Sequence, residues 1–248
     1  MYKSFRKVGF MSLYPIFVDL TGRICLVAGL GAVGRRKVEG LIAAGPRLIR
    51  MVDPAPTRAE EQGLASQARA AGVELTREKR PFAPEDLDGC TLVFAATEDA
   101  QVNRAIAVLC GERNILCTVA DDPNSSDFLL PAVWRQANIQ AAVSTSGASP
   151  ALAAHIRDEL GIFLDGRYTV LAQLFEQLRP LLLELNLGAA ENKALFHKLM
   201  EAGLPTALQV RDHARAAAIL RNLLPTEIHA AVEPFLNTLA ARPGRVVQ

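Results

Sequence analysis

The sequence predicts an α/β fold: a parallel sheet wrapped by helices, then a strand-rich stretch, then a helical C-terminal domain. Three observations predict it. Short apolar runs alternate with segments of helical period through the first half of the chain. A glycine-rich turn joins the first such run to the first such helix. Further on, two strand-like runs follow each other with no helix between them, and beyond Pro150 nearly every segment is helical.

Taken in order, Ile24 to Ala28 is an apolar run expected as a buried strand, and Gly29 to Gly34 is the turn. Val33, Val38, Leu41 and Ile42 recur at helical spacing until Gly45-Pro46 stops the helix. Leu48 to Val52 is a second strand, Thr57 to about Ala71 a helix, and Val73 to Thr76 a short third strand. Leu92 to Ala96, a helix from Asp99 to Arg113, and Ile115 to Ala120 complete the alternation. Apolar strands alternating with helices make a Rossmann-like sheet covered on both faces. Phe128 to Val133 and Ile139 to Ser144 are two further strands, with polar Arg135, Gln136 and Asn138 between them, expected to pair antiparallel. Ser149 caps and Pro150 opens the next helix. Leu171, Leu174, Phe175, Leu178, Leu181 and Leu182 form an apolar helical stripe, and Pro205 and Pro225 punctuate later helices. The expected domains are residues 1–113, a Rossmann-like domain, 114–148, a strand-rich middle, and 149–248, helical.

Composition limits the function. Half of the 248 residues are hydrophobic, 21% are charged and the formal net charge is +1. A packed core is easily built, and neither nucleic acid nor an anionic membrane is called for as a partner. No apolar run approaches the roughly 18–20 residues that span a bilayer. Residues 1–10 are basic but lack the apolar core and cleavage site of a signal peptide, so an extension is expected, with Met1 or Met11 as the start. Cys25, Cys90, Cys110 and Cys117 form no C-x-x-C pair and are expected as reduced, buried thiols of a cytoplasmic protein. His155, His197, His213 and His229 are too far apart for a local metal motif, so no resident metal is expected.

Gly29-Leu30-Gly31-Ala32-Val33-Gly34 is G-x-G-x-x-G between a strand and a helix, the setting in which that spacing binds a dinucleotide. The first glycine permits the tight turn, the second lets the backbone approach the pyrophosphate, and the third packs helix on strand. The helix start, with Ala32 and Val33, offers free N–H groups to phosphate. Asp53 ends the second strand, 19 positions past Gly34, where a carboxylate can accept from ribose hydroxyls and repel a 2′-phosphate. That favours NAD over NADP, although Arg50 and Arg58 lie nearby; Asp53 could also be a plain cap. Ala55 and Pro56 are placed at the cofactor with it. Ala96 and Thr97 close the fourth strand at the ligand crevice. There Thr97 either hydrogen-bonds the cofactor or caps the helix that follows. Flavin or S-adenosylmethionine remain alternative ligands of such a turn.

Several segments resemble the siroheme synthase dehydrogenase (precorrin-2 dehydrogenase) family over roughly residues 12–165. They are Tyr14-Pro15-Ile16-Phe17 before the first strand, Arg36-Lys37 after the turn, and Ala95-Ala96-Thr97 with Asn103. Cys117 to Pro123, Phe128 to Pro131 and Val143 to Ala151 complete the set. The resemblance implies a homodimer formed through the middle region, NAD-dependent oxidation of the tetrapyrrole precorrin-2, and, in some members, insertion of ferrous iron. It places the catalytic aspartate at Asp121, with Asp122 as a rival and a simple turn as the bland reading. It sets the family's phosphorylatable serine loop on Ser144, Thr145, Ser146 and Gly147, with Thr145 in the serine's place. Those four residues, preceding a helix, suit a substrate carboxylate, with Arg35, Arg36, Arg135 and Arg157 as candidate counter-charges. A stand-alone form without a fused methyltransferase is expected. The alternative reading is the regulatory NAD-binding module of a potassium transport system, which would continue as an uninterrupted doubly wound sheet.

Overall fold

Strand β1 (Ile24–Ala28) is the centre of the first unit, and four of its five residues are buried. A computed structural model describes residues 13–57, 59–120, 122–164, 166–232 and 234. Residues 1–12, Arg58 and Asp121, which carried expectations above, lie outside these. The chain divides into two units, one of residues 1–130 and 146–148, the other of residues 131–145 and 149–248.

In the first unit β1 pairs in parallel with β2 (Leu48–Val52) on one side and β4 (Cys90–Ala95) on the other. Strand β3 (Glu74–Glu78) extends the sheet beyond β2, and β5 (Leu116–Val119) beyond β4, giving the order β3-β2-β1-β4-β5. Alternation along β1 divides the core. Cys25 and Val27 face one cluster, built with α1 (Ala32–Ile42) and α2 (Ala59–Ala70). Leu26 and Ala28 face the other, built with α3 (Ala100–Glu112) and the short 3-10 turn Pro84–Leu87. All four cysteines are free and buried, and burial pushes the Cys25 thiol up to about 12 and Cys90 up to about 11. Cys25 and Cys90 therefore remain protonated thiols at neutral pH.

The outer edge of β5 is not left open. The N–H of Asp127 donates to Cys117 O at 2.7 Å, the Asp127 carboxylate accepts from Cys117 N at 3.0 Å, and Ser126 Oγ accepts from Val119 N at 2.9 Å. The segment leaving the sheet thus satisfies groups that an edge strand would otherwise expose. Because β5 belongs to this sheet, the sheet runs past residue 113, where the sequence reading placed its boundary.

Several strands shift by a residue or two from expectation, β4 starting at Cys90 rather than Leu92 among them, and the third and sixth shift for clear physical reasons. The third begins at Glu74, not Val73, because the Val73 N–H closes the end of α2 on Ala68 O. The sixth, β6 (Ala132–Gln136), does not include Phe128. That ring packs edge-on against Phe94 at 5.8 Å instead, so Phe128 fills the core on the way out of the sheet, while Leu130 is 50% exposed.

In the second unit β6 pairs antiparallel with β7 (Ile139–Val143) through the two-residue turn Ala137-Asn138, as expected. Arg135 and Gln136 belong to the strand, and Ala137 takes the left-handed φ of 49° that the tight turn requires. Helix α4 (Pro150–Phe163) packs on the hairpin, and the Trp134 indole lies where a Cβ on Gly161 would be. Helices α5 (Gly166–Glu184), α6 (Ala189–Glu201), α7 (Leu204–Gln209) and α8 (His213–Leu223) share a leucine-rich core that includes Leu174, Leu178, Leu182, Leu199 and Leu220. No helix among the described residues is long and apolar enough to cross a membrane.

Candidate functional site

The order of strands reverses between β1 and β4, and their carboxyl ends form the crevice where ligands of such sheets bind. Gly29 follows β1 with φ of 91°, and a Cβ there would overlap the Ala96 carbonyl just past β4. A Cβ on Gly34 would overlap the Gly29 carbonyl. Both glycines are required by close backbone approach within the protein. Gly31 differs: a Cβ there would meet nothing within 4 Å. Its lack of a side chain keeps space open above the turn rather than filling a contact. Gly31 is also the N-cap of α1 and supplies no side-chain cap, so the first amides of the helix face that space without a protein acceptor from the cap. These features fit a pyrophosphate.

Asp53 braces the turn. Its Oδ2 accepts from the Leu30 N–H at 2.5 Å and its Oδ1 from the Ala55 N–H at 2.7 Å. A carboxylate has about four acceptor positions, so both oxygens keep capacity for ribose hydroxyls. Pro56 follows on the same loop. Arg50 points to the other face of the sheet, where it donates to Asp86 O at 2.5 Å and lies 3.8 Å from Cys90 Sγ. Its guanidinium is therefore committed away from Asp53.

Past β4, Thr97 is held by buried Asn103. The Thr97 N–H and hydroxyl both reach Asn103 Oδ1, at 3.0 and 2.7 Å, and Asn103 Nδ2 donates to Thr97 O at 3.0 Å. The cap of α3 is Asp99, which accepts from Gln101 and Val102 N–H groups. Thr97 is therefore not the cap, and its hydroxyl lies within reach of Asn103 Oδ1 and Asp99 O.

Past β5, the Ala120 N–H donates to Ala95 O at 2.8 Å, which ties the start of the next loop to the end of β4. Asp122 accepts from Ser125 Oγ at 2.6 Å and from the Asn124 and Ser125 N–H groups. The Ser125 hydroxyl bond, opposed by slight desolvation and helped by those amides and the Arg104 charge, holds its carboxyl below the usual range. Asp122 is thus a turn cap whose two carboxylate oxygens are both engaged by the loop that follows. Arg104 was not singled out by sequence reading, and no local pattern would have found it. It lies on the first turns of α3, exposed, and close enough to Asp122 to act on it.

In the second unit the Thr145 hydroxyl both accepts from the Ser149 N–H and reaches Ser149 O, each at 3.0 Å. Ser149 caps α4 through Leu152 N–H, as expected. Ser146 and Gly147 take left-handed φ of 53° and 87°. Of the four arginines proposed as counter-charges, Arg35 donates to Leu30 O, Arg135 to Gln140 and Arg157 to Asp158, while Arg36 is exposed. Among the described residues no group of three or more His, Cys, Asp or Glu lies together as a metal site.

Comparison with known proteins matches two parts of this chain. Residues 16–132 match the family described as "Putative NAD(P)-binding", and residues 137–161 that described as "Sirohaem biosynthesis protein central". A siroheme synthase of Chromobacterium violaceum is 35% identical over 208 residues, 84% of this chain and 43% of that protein. Another, from Salmonella dublin, is 34% identical over 96% of this chain and 48% of that protein. The chain belongs to the siroheme synthase dehydrogenase family.

The family's members matched here are longer: the chain spans less than half the length of these curated relatives. A solved structure named SirC, precorrin-2 dehydrogenase, covers 85% of this chain and 98% of its own with a TM-score of 0.67 at 24% identity, which shows the shared fold. The matched NAD(P)-binding region, residues 16–132, contains the glycine turn, Asp53 and Thr97. The chain does not continue as the uninterrupted sheet that the potassium-transport reading required.

Proposed function

We propose that this chain catalyses the NAD-dependent dehydrogenation of precorrin-2 to sirohydrochlorin. The observation that carries the reading is the crevice at the β1–β4 reversal, with the uncapped α1 start and the open space over Gly31, in a chain of this family. The reaction removes one hydride and one proton from the tetrapyrrole, and bound NAD supplies the hydride acceptor.

This chain's residues divide the remaining work. Gly29, Gly31 and Gly34 shape the turn, and the amides of Ala32, Val33 and Gly34 hold the pyrophosphate. Asp53, with Ala55 and Pro56, holds the adenosine ribose. Its charge disfavours a 2′-phosphate, and Arg50, engaged at Asp86, does not offset it. Ala96 leaves room beside the cofactor, and Thr97, fixed by Asn103, hydrogen-bonds it. Asp121 is assigned as the catalytic carboxylate, orienting a pyrrole N–H or accepting the proton. Its neighbour Asp122 is spent on a cap, which supports that assignment. Ser144, Thr145, Ser146 and Gly147 are assigned to a substrate carboxylate.

A homodimer through the hairpin and α4 belongs to the same reading. Helix α4 buries only Ala153, while Leu152, Ile162 and Phe163 are 49%, 81% and 59% exposed. Exposed large apolar side chains at both ends of one helix support the reading of α4 as an association surface. A cytoplasmic location suits four free thiols.

The test is the appearance of NADH at 340 nm when the purified chain is given precorrin-2 and NAD. Absence of NADH with folded protein would overturn the proposal. Adding ferrous ion to the product then asks whether the chain also inserts the metal.

A further inference from the structure

Beside the dinucleotide turn lies an ion pair that the chemistry above does not use. Arg77, on β3 opposite Met51, sends Nε to Glu61 Oε2 at 2.7 Å, Nη2 to Ala55 O at 2.8 Å and Nη1 to Asp53 O at 3.3 Å. Glu61, in the first turn of α2, is 6% exposed, and the Arg77 side chain 14%. One guanidinium therefore holds two carbonyls of the loop that carries Asp53, while the Asp53 carboxylate ties the same loop to Leu30 in the glycine turn. The loop is braced from both sides, at its main chain by the cation and at its side chain by the turn.

The cation has a second consequence. A buried positive charge adjoining Asp53 stands where it would attract the extra phosphate of NADP. Glu61 neutralises it, and three acceptors fix the plane of the guanidinium. An unpaired Arg77 would be a costly buried charge free to turn to a new anion.

We propose that the Glu61–Arg77 pair sets the dinucleotide selectivity of this site, Arg77 as the positioning residue for Asp53 and Glu61 as the charge that withholds Arg77 from a 2′-phosphate. The inference rests on the NAD site proposed above. It goes further in assigning selectivity to two residues outside the glycine motif and the Asp53 loop.

The test is titration of the full chain with NADH and with NADPH, followed by nucleotide fluorescence, for wild type and three variants. Glu61→Gln keeps the size and an acceptor for Arg77 but removes the charge. It is expected to raise NADPH affinity relative to NADH by about fivefold or more. Arg77→Lys keeps charge but loses the fork, and is expected to weaken NADH several-fold with less loss of NADPH. Arg77→Gln should weaken NADH without any NADPH gain. Folded Glu61→Gln protein with the wild-type affinity ratio would overturn the selectivity role. Should Glu61→Gln not fold, an unchanged ratio in Arg77→Lys does the same. Wild type that binds neither nucleotide would instead sink the cofactor reading itself, a result separable from either of these.

Discussion

The parallel sheet and the β6–β7–α4 segment are built on different terms. Every residue of β1 except Ile24 is buried, and each face of the sheet has its own apolar cluster. No residue of β6 or β7 is buried, and α4 buries only Ala153. The sheet is stabilised from within the chain. Burial of apolar area stabilises at roughly 25 cal/mol per Å², and the hairpin and its helix collect little of that within one copy. The same kind of perturbation should therefore read out differently in the two places: as lost chemistry or folding in the first, and as lost association in the second.

The largest expected effect tests the chemistry assigned to the sheet. Asp121→Ala should reduce NADH formation from precorrin-2 by about 10²- to 10⁴-fold while NADH still binds by fluorescence titration; unchanged turnover would remove Asp121 from the mechanism. Gly29→Ala should destabilise the sheet unit by about 2–4 kcal/mol, because the new Cβ meets the Ala96 carbonyl at a left-handed φ. Urea unfolding measures this, and a wild-type midpoint would mean the approach of β1 and β4 is looser than described.

The next effect belongs to the other region. Ile162→Glu with Phe163→Glu should leave the urea midpoint of the sheet within about 0.5 kcal/mol and turn a dimer into a monomer in sedimentation velocity. A dimer that survives the pair of charges would place the contact elsewhere. The smallest effect is one of pH. Burial alone would raise the Asp86 carboxyl, but hydrogen bonds from Arg80 and the Ala83 N–H hold it below its ordinary value. A folded pKa below the unfolded one contributes stability above the unfolded value, about 4, which is lost as pH falls through the folded value. Asp86→Asn should flatten that acid dependence and cost roughly 1–3 kcal/mol at neutral pH; an unaltered slope below pH of about 4 would assign the acid sensitivity to other carboxylates.

Sequence legibility follows the same division. The strands β1, β2 and β4 are apolar runs set off by glycine and charge, and the glycine motif places three candidate positions within six residues. Those features are local, and local pattern finds them. Strand β3 is an edge in which Glu74, Thr76, Arg77 and Glu78 outnumber apolar residues, so periodicity drew its start to Val73. The run Phe128 to Leu130 reads as strand because it is apolar, whereas Phe128 is placed by its contact with Phe94, far away in sequence. In the candidate site, the distance of Asp53 from the glycines is what singles it out, and the fold brings it against the Leu30 N–H of the turn. No such spacing singles out Arg77 and Arg104, since their meaning comes from Ala55, Glu61 and Asp122, partners that only the folded chain brings beside them.

The Trp134 indole against Gly161 has a practical side. The chain has one tryptophan, and it sits on the hairpin, packed on the helix that follows it. Excitation at the red edge of protein absorption thus yields light from a single address, far along the chain from the glycine turn. A shift in its colour or lifetime reports on that hairpin and helix, and a denaturation curve followed this way can be overlaid on one followed by circular dichroism to see whether the two halves melt together.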